Sequence, residues 1–219
     1  DIANAMVLLG NAQFKVGIIE DAKNNFNSAI EIINTQKNKP KDILANVYSS
    51  LGVYHMENGN NKKALELFDK AIDAIKGSET LDDAIIANIH NFMGNAFMAS
   101  NLHQNAKECY EKSLSLANNN NEIRNSLGGI IYLNLASVYT ELNQMDRAYG
   151  MLLKSKSFYE NKFGDKNSRT AAVYKKFADY HHKKGELSIA VKNFQKAINI
   201  YENSIDQKSG LNIADCFTG

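Results

Sequence analysis

Leu9, Leu51, Met93, Leu135 and Phe177 each stand immediately before a small residue, and those small residues, Gly10, Gly52, Gly94, Ala136 and Ala178, follow one another at intervals of 42. Seven positions after each small residue comes Gly17, Gly59, Asn101, Asn143 or Gly185. Five further on stands Ala22, Ala64, Ala106, Ala148 or Ala190, and four beyond that a bulky apolar residue, Phe26, Phe68, Tyr110, Leu152 or Phe194. A second small residue, Ala29, Ala71, Ser113, Ser155 or Ala197, closes each unit. An apolar–small–bulky pattern that keeps its phase over four intervals marks one structural unit copied head to tail. Each unit reads as a helical hairpin. Glycine and asparagine tolerate positive φ, so the seventh-position set ends the first helix and turns the chain. The small residues on either side let two antiparallel helices approach, and the Leu and Phe positions fill the space between neighbouring hairpins.

The pattern predicts ten helices. First helices are expected at about 2–16, 42–57, 81–99, 124–142 and 168–184, and their partners at about 19–36, 61–76, 103–117, 145–162 and 187–204. Loops are expected at 38–41, 77–79, 118–121 and 164–167, with Asp42 and Ser168 as N-caps whose short side-chain oxygens accept from first-turn N–H groups. The repeats divide at about 2–41, 42–80, 81–122, 123–167 and 168–208. Residues 209–219 are in phase with the start of a sixth first helix, Leu211, Ala214 and Phe217 forming its apolar face, so the chain is expected to be a single array cut from a larger protein.

The order leucine, glycine or alanine, aromatic, glycine, alanine, aromatic, alanine resembles the tetratricopeptide repeat. The resemblance implies an all-α fold, an α-α superhelix of five hairpins in a right-handed solenoid. The familiar repeat is about 34 residues long, so each unit here carries roughly eight more, and the proline that usually ends the second helix is missing; Pro40 is the only proline. Eight residues would add ~12 Å of helix, and they are expected to lengthen the second helix and the loop after it. The long unit, with segments such as Tyr159-Glu160-Asn161-Lys162-Phe163-Gly164-Asp165-Lys166, is similar to the kinesin light chain subclass.

Composition narrows the functional classes. With 44% apolar and 22% charged residues the chain is globular, and a formal net charge of +1 gives no electrostatic reason to expect nucleic acid as a partner. No apolar stretch of about 18 residues could span a bilayer, and no basic-then-apolar leader follows Asp1, so a cytoplasmic location is expected. Two cysteines, Cys109 and Cys216, are too few for a disulfide framework and read as free thiols. Asparagine is abundant, with 29 residues including the run 118–121, which a biased AT-rich genome would explain.

Catalytic and metal chemistry is thin. His181 and His182 are adjacent and point about 100° apart on a helix, so they do not share a face as an i, i+4 pair does. His55 and His181 occupy the slot usually filled by tyrosine, which suggests packing. Cys109 has His103 six residues earlier and no third group. No phosphate loop, HExxH or EF-hand pattern occurs. No enzyme activity, cofactor or metal site is expected.

The resemblance implies instead a concave groove lined by slots two, five, six, nine and twelve of each unit, counting the small residue as eight. These are Asn4, Val7, Leu8, Asn11 and Phe14; Asn46, Ser49, Ser50, Val53 and Met56; Asn88, Asn91, Phe92, Asn95 and Met98; Ile130, Leu133, Asn134, Ser137 and Thr140; and Ala172, Lys175, Lys176, Asp179 and His182. Asparagine offers donors and an acceptor to a peptide backbone, and Met gives adaptable apolar contacts. The expected function is therefore a protein–protein interaction scaffold or adaptor that takes an extended or partly helical peptide segment of a partner. Asn11, Asn46, Ser50, Asn88, Asn91, Asn95, Met98, Asn134, Ser137, Lys175, Lys176 and Asp179 are its candidate site, the two lysines favouring an acidic ligand. The family's grip on acidic chaperone tails wants five residues, of which Asn95, Asn134 and Lys176 match and the slots of Asn91 and Ala172 do not. A regulatory arm of a larger enzyme, or an architectural subunit binding through another face, are the alternatives. Self-association through the C-terminal end is a further expectation.

Overall fold

In the computed structural model, residues 2–37, 39–76 and 82–204 are described. They form ten α-helices: α1 Ile2–Lys15, α2 Ile19–Thr35, α3 Lys41–Glu57, α4 Asn61–Lys76, α5 Asp83–Ala99, α6 His103–Asn119, α7 Asn121–Glu141, α8 Met145–Phe163, α9 Ser168–Lys183 and α10 Leu187–Asn203. No strand occurs among the described residues. The fold is the all-α succession of helical hairpins that the sequence pattern predicts. The sixth first helix expected at 209–219, the second cysteine Cys216 and the loop at 77–79 lie outside the described residues.

The chain divides into two compact units, residues 1–116 and 117–219. In unit 1, α1 packs on α2 and α3 on α4, and the first helices α1, α3 and α5 lie side by side. In unit 2, α7 packs on α8, α9 on α10, and α7 on α9.

The hairpin turns follow the side-chain chemistry closely. Gly17, Gly59 and Gly185 have φ of 84°, 75° and 79°, and among the described residues the non-glycine positions in the left-handed region are Asn101 (58°) and Asn143 (57°). All five predicted turn positions thus adopt the conformation that only glycine and asparagine reach cheaply.

The small positions permit contact rather than fill space. A Cβ on Gly52 would lie 2.5 Å from the Phe68 ring, one on Gly94 2.4 Å from Tyr110, and one on Gly10 2.6 Å from Phe26. Those three rings are at most 2% exposed. Where the slot holds alanine, the facing residue changes: Leu152 stands opposite Ala136, both lining one hollow, and Phe194, in register with Ala178, is only half-buried. At the second small slot, Ser113 donates to the Ala87 carbonyl (2.7 Å) and Ser155 to that of Gly129 (2.9 Å), so a buried hydroxyl is tolerated because the neighbouring first helix supplies an acceptor at the same place in both units.

Three boundaries differ from the sequence reading. The N-cap of α3 is Pro40, leaving Asp42 in the first turn, where its charge still complements the helix dipole. Asn167 caps α9 by accepting from the Arg169 N–H at 3.0 Å, and Ser168 is the first helical residue. The asparagine run is not a loop: α6 runs through Asn118 and Asn119, and Asn120 alone separates it from α7, accepting from the N–H groups of Glu122 and Ile123. One capping side chain takes the place of the four loop residues expected there.

Candidate functional site

Where α1, α3 and α5 lie side by side they frame a hollow of about 470 Å³. Asn4, Val7, Leu8, Asn11 and Phe14 line it from α1, Asn46, Ser49, Ser50 and Val53 from α3, and Ile85, Asn88 and Phe92 from α5. With Lys15 and Phe26 the lining comprises fourteen residues, of which eleven are the inner-face residues that the repeat register assigns to the first three units; Lys15, Phe26 and Ile85 are the additions. Its apolar floor is held from behind. Phe92 stacks on Phe68 at 6.1 Å with nearly parallel rings, and Phe14 meets Tyr54 at 6.3 Å.

The polar groups differ in how committed they are. Asn46 is exposed and makes no hydrogen bond among the described residues. Asn88, which also lines the hollow, donates to the Ala84 carbonyl of its own helix at 3.0 Å and so keeps its side-chain oxygen as an acceptor. Asn11 accepts from Ser50 at 2.9 Å, a bond that ties α1 to α3 and orients the Asn11 amide N–H groups. Lys15 is the only ionised group in the lining.

The remaining sites in unit 1 stand apart from this hollow. Asn91 is only 5% exposed. The side-chain oxygen of Asn95 accepts from the Tyr110 hydroxyl at 2.8 Å, which spends its acceptor on the core. Met98 is half-buried near the end of α5. Register identifies the face of a helix and puts Tyr110 at the bulky slot of this unit, but it does not say which side chain the tyrosine hydroxyl reaches.

In unit 2, Ser137, Lys176 and Asp179 line a smaller hollow of about 140 Å³ with Ala136, Thr140, Glu141 and Leu152. Lys176 pairs with Asp179 at 3.4 Å and Lys183 with Glu141 at 2.6 Å. The lysines on this face are therefore largely matched by carboxylates, and Ser137 donates to the Leu133 carbonyl of its own helix. Asn134 and Lys175 are half-buried and each has a partner within the protein.

The histidines and the thiol behave as structural groups. His55 packs edge-on against Tyr54 at 5.1 Å, and burial holds its pKa below the usual histidine value, with Lys63 and Lys23 acting the same way. His181 contacts Glu186 at 2.6 Å across the α9–α10 turn, while its neighbour His182 is exposed. Among the described residues no three His, Cys, Asp or Glu side chains cluster as a metal site would need. Burial pushes the Cys109 thiol up to about 11, so at pH 8 only roughly one molecule in a thousand carries the thiolate. In a Cys216→Ser background, Cys109 should resist iodoacetamide in the folded protein and react at least about tenfold faster in urea; equal rates in both states would mean the thiol is accessible and activated. No described helix is long and apolar enough to cross a membrane.

Comparison with known proteins agrees with this architecture. Among solved structures, BtubC (BKLC) from P. vanneervenii superposes with a TM-score of 0.71 at 18% identity, covering 91% of this chain and 82% of that one. A putative kinesin light chain protein of nearly identical TPR-like repeats from Podosopora anserina gives 0.69 at 15% identity over 90% of this chain and 93% of that one. The apo form of RapI gives 0.71 at 15% identity over 95% of this chain and 56% of that one. No curated protein sequence matches significantly. The tetratricopeptide repeat family model matches residues 43–119 and 128–203, well over half of the sequence. With that match, the ten helices and the five left-handed turn residues in register, the chain belongs to the tetratricopeptide repeat family, whose members are generally protein–protein interaction scaffolds.

Proposed function

We propose that this protein is a binding scaffold whose unit 1 hollow takes an extended or partly helical segment of a partner protein. The observation that carries the reading is the lining itself. Three consecutive first helices contribute apolar side chains (Val7, Leu8, Phe14, Val53, Phe92) interleaved with uncharged amides and hydroxyls (Asn11, Asn46, Ser50, Asn88) in one concavity of about 470 Å³. Leu8 is 62% exposed at its edge, an apolar surface that a bound segment would cover. A peptide backbone offers alternating donors and acceptors, and an asparagine side chain meets either without reading the sequence. The near-absence of charge in the lining favours a ligand whose contact residues are apolar or uncharged over an acidic one.

The reading of an acidic C-terminal tail is less supported. Of the residues it would use, Asn95 accepts from Tyr110 and Lys176 already faces Asp179, and the unmatched slot of Asn91 is buried.

The test is to capture partners from lysate, map the bound segment of one, and titrate it as a synthetic peptide. Asn46→Ala with Asn88→Ala should weaken binding about tenfold, since each neutral hydrogen bond contributes about 0.5–1.5 kcal/mol, and should barely move thermal stability. Reversing Lys175 and Lys176 to glutamate should change affinity less than that. Wild-type affinity in the double asparagine variant would locate the ligand on another face, and the architectural-subunit reading would replace this one.

A further inference from the structure

A second hollow, in unit 2, has a different character. It encloses about 290 Å³ between α7, α8 and the start of α9, lined by Ser126, Ile130, Leu133, Phe158, Tyr159, Lys162, Phe163, Arg169 and Ala172. Its existence depends on paired glycines in the middle of α7. A Cβ on Gly129 would lie 2.6 Å from both Phe158 and Tyr159, and one on Gly128 3.3 Å from Phe158, so the glycines let these two rings come close to the first helix. The floor is apolar and enclosed, with Leu133 and Tyr159 at 6% and 7% exposure, whereas the rim residues Lys162, Phe163, Arg169 and Ser126 are more open to solvent.

The rim is cationic without a counter-charge. No aspartate or glutamate lines the hollow. The Arg169 guanidinium lies 4.6 Å from the Phe163 ring centroid, and this side chain makes no hydrogen bond or ion pair with any described residue. Lys162 sits 5.5 Å and 5.4 Å from the centroids of Phe158 and Phe163 and donates to the Asn125 carbonyl, leaving ammonium protons for a second acceptor. Arg169 is the second residue of α9, so the positive end of that helix dipole acts on the same place. This contrasts with Lys176 and Lys183 of the same unit, which are matched by Asp179 and Glu141.

We propose that this hollow binds a small apolar carboxylate, with an aliphatic or aromatic body on the Leu133–Tyr159 floor and the carboxylate a bond or two away, at the rim between Arg169 and Lys162. A guanidinium presents its paired N–H groups to a carboxylate bidentately. The hollow of about 290 Å³ has room for an acylated amino acid with its side chain on the floor, and the separation of floor from rim suits a group whose charge sits beside its apolar body rather than at the tip of it. Such a carboxylate is found both in a free acylated amino acid and at the last residue of a polypeptide. This inference does not depend on the unit 1 hollow binding anything.

The probes are N-acetyl-leucine, N-acetyl-leucinamide and a leucine-terminated hexapeptide with a free carboxylate, titrated against the 15N-labelled protein by NMR. The free acid should give saturable shifts at the backbone amides of Ser126, Phe163 and Arg169, and the amide should bind about tenfold more weakly, the loss expected for one charge-assisted contact. Arg169→Gln, at the hollow's open rim, should reproduce that loss for the acid and leave the amide unchanged. Ala172→Leu, which fills part of the hollow, should weaken acid and amide alike. A hexapeptide that binds at least about tenfold more tightly than the free acid would identify a chain terminus as the source, and equal affinities a free small molecule. Equal binding of acid and amide, indifference to Arg169→Gln, or absence of saturable shifts would overturn the assignment.

Discussion

Phe68→Ala should destabilise the protein by about 3–5 kcal/mol, the range for deleting a fully buried aromatic side chain. The ring is 0% exposed, lies against the bare Cα of Gly52 and stacks on Phe92, so its loss leaves a void bounded by two hairpins that cannot easily close. Phe194 provides the control. It holds the equivalent slot of the fifth unit but is only half-buried, so Phe194→Ala should cost clearly less. Urea denaturation followed by circular dichroism checks both, with the slope monitored because repeat arrays do not always unfold as one unit. Equal losses at the two positions would mean that the slot, rather than its burial, sets the energy.

Gly94→Ala should cost about 1–3 kcal/mol despite adding a single methyl to a helix, where alanine is otherwise the better residue. The new Cβ would lie 2.4 Å from the Tyr110 ring, which is 2% exposed and tethered through its hydroxyl to Asn95, so it has nowhere to retreat. Changing the facing residue at the same time should recover part of that cost. The fourth unit already carries the compensated pair, Ala136 opposite Leu152, and Gly94→Ala with Tyr110→Leu rebuilds it in the third. A double-mutant cycle measures the coupling. If the two losses simply add, the small and bulky slots are not in steric contact and the packing account fails.

These examples show why part of the fold was legible and part was not. The turn residues could be read because few residues adopt positive φ, so Gly17, Gly59, Asn101, Asn143 and Gly185 announce their own geometry. The helix starts were harder, because Asp42 and Ser168 are good caps that lost to nearby residues; which residue takes the cap depends on where the preceding chain arrives, a tertiary matter. Likewise, the register placed Asn11, Asn46, Ser50 and Asn88 on one inner face, and all four line the unit 1 hollow. It was silent on Asn95, whose acceptor is consumed by a tyrosine fifteen residues away. The cationic hollow of unit 2 escaped the sequence reading because Phe158, Phe163 and Arg169 lie outside the inner-face slots. The Gly128-Gly129 pair within α7 was the one signal that rings approach closely there.

The ion pair between Lys183 and Glu141 joins residues 42 apart, the same slot in consecutive units. In a stack built by translation, each slot's spatial neighbour is its own copy, so a charge that is duplicated faithfully comes to rest beside itself. Identical tandem copies would therefore carry ladders of like charge, and repulsion rewards whichever copy changes sign. Divergence between neighbouring units relieves that repulsion, a modest effect at exposed positions, and is in this sense more than drift. It also makes the order of the units matter: exchanging two hairpins of the same backbone would set lysine against lysine, although every local helix and turn remained sound.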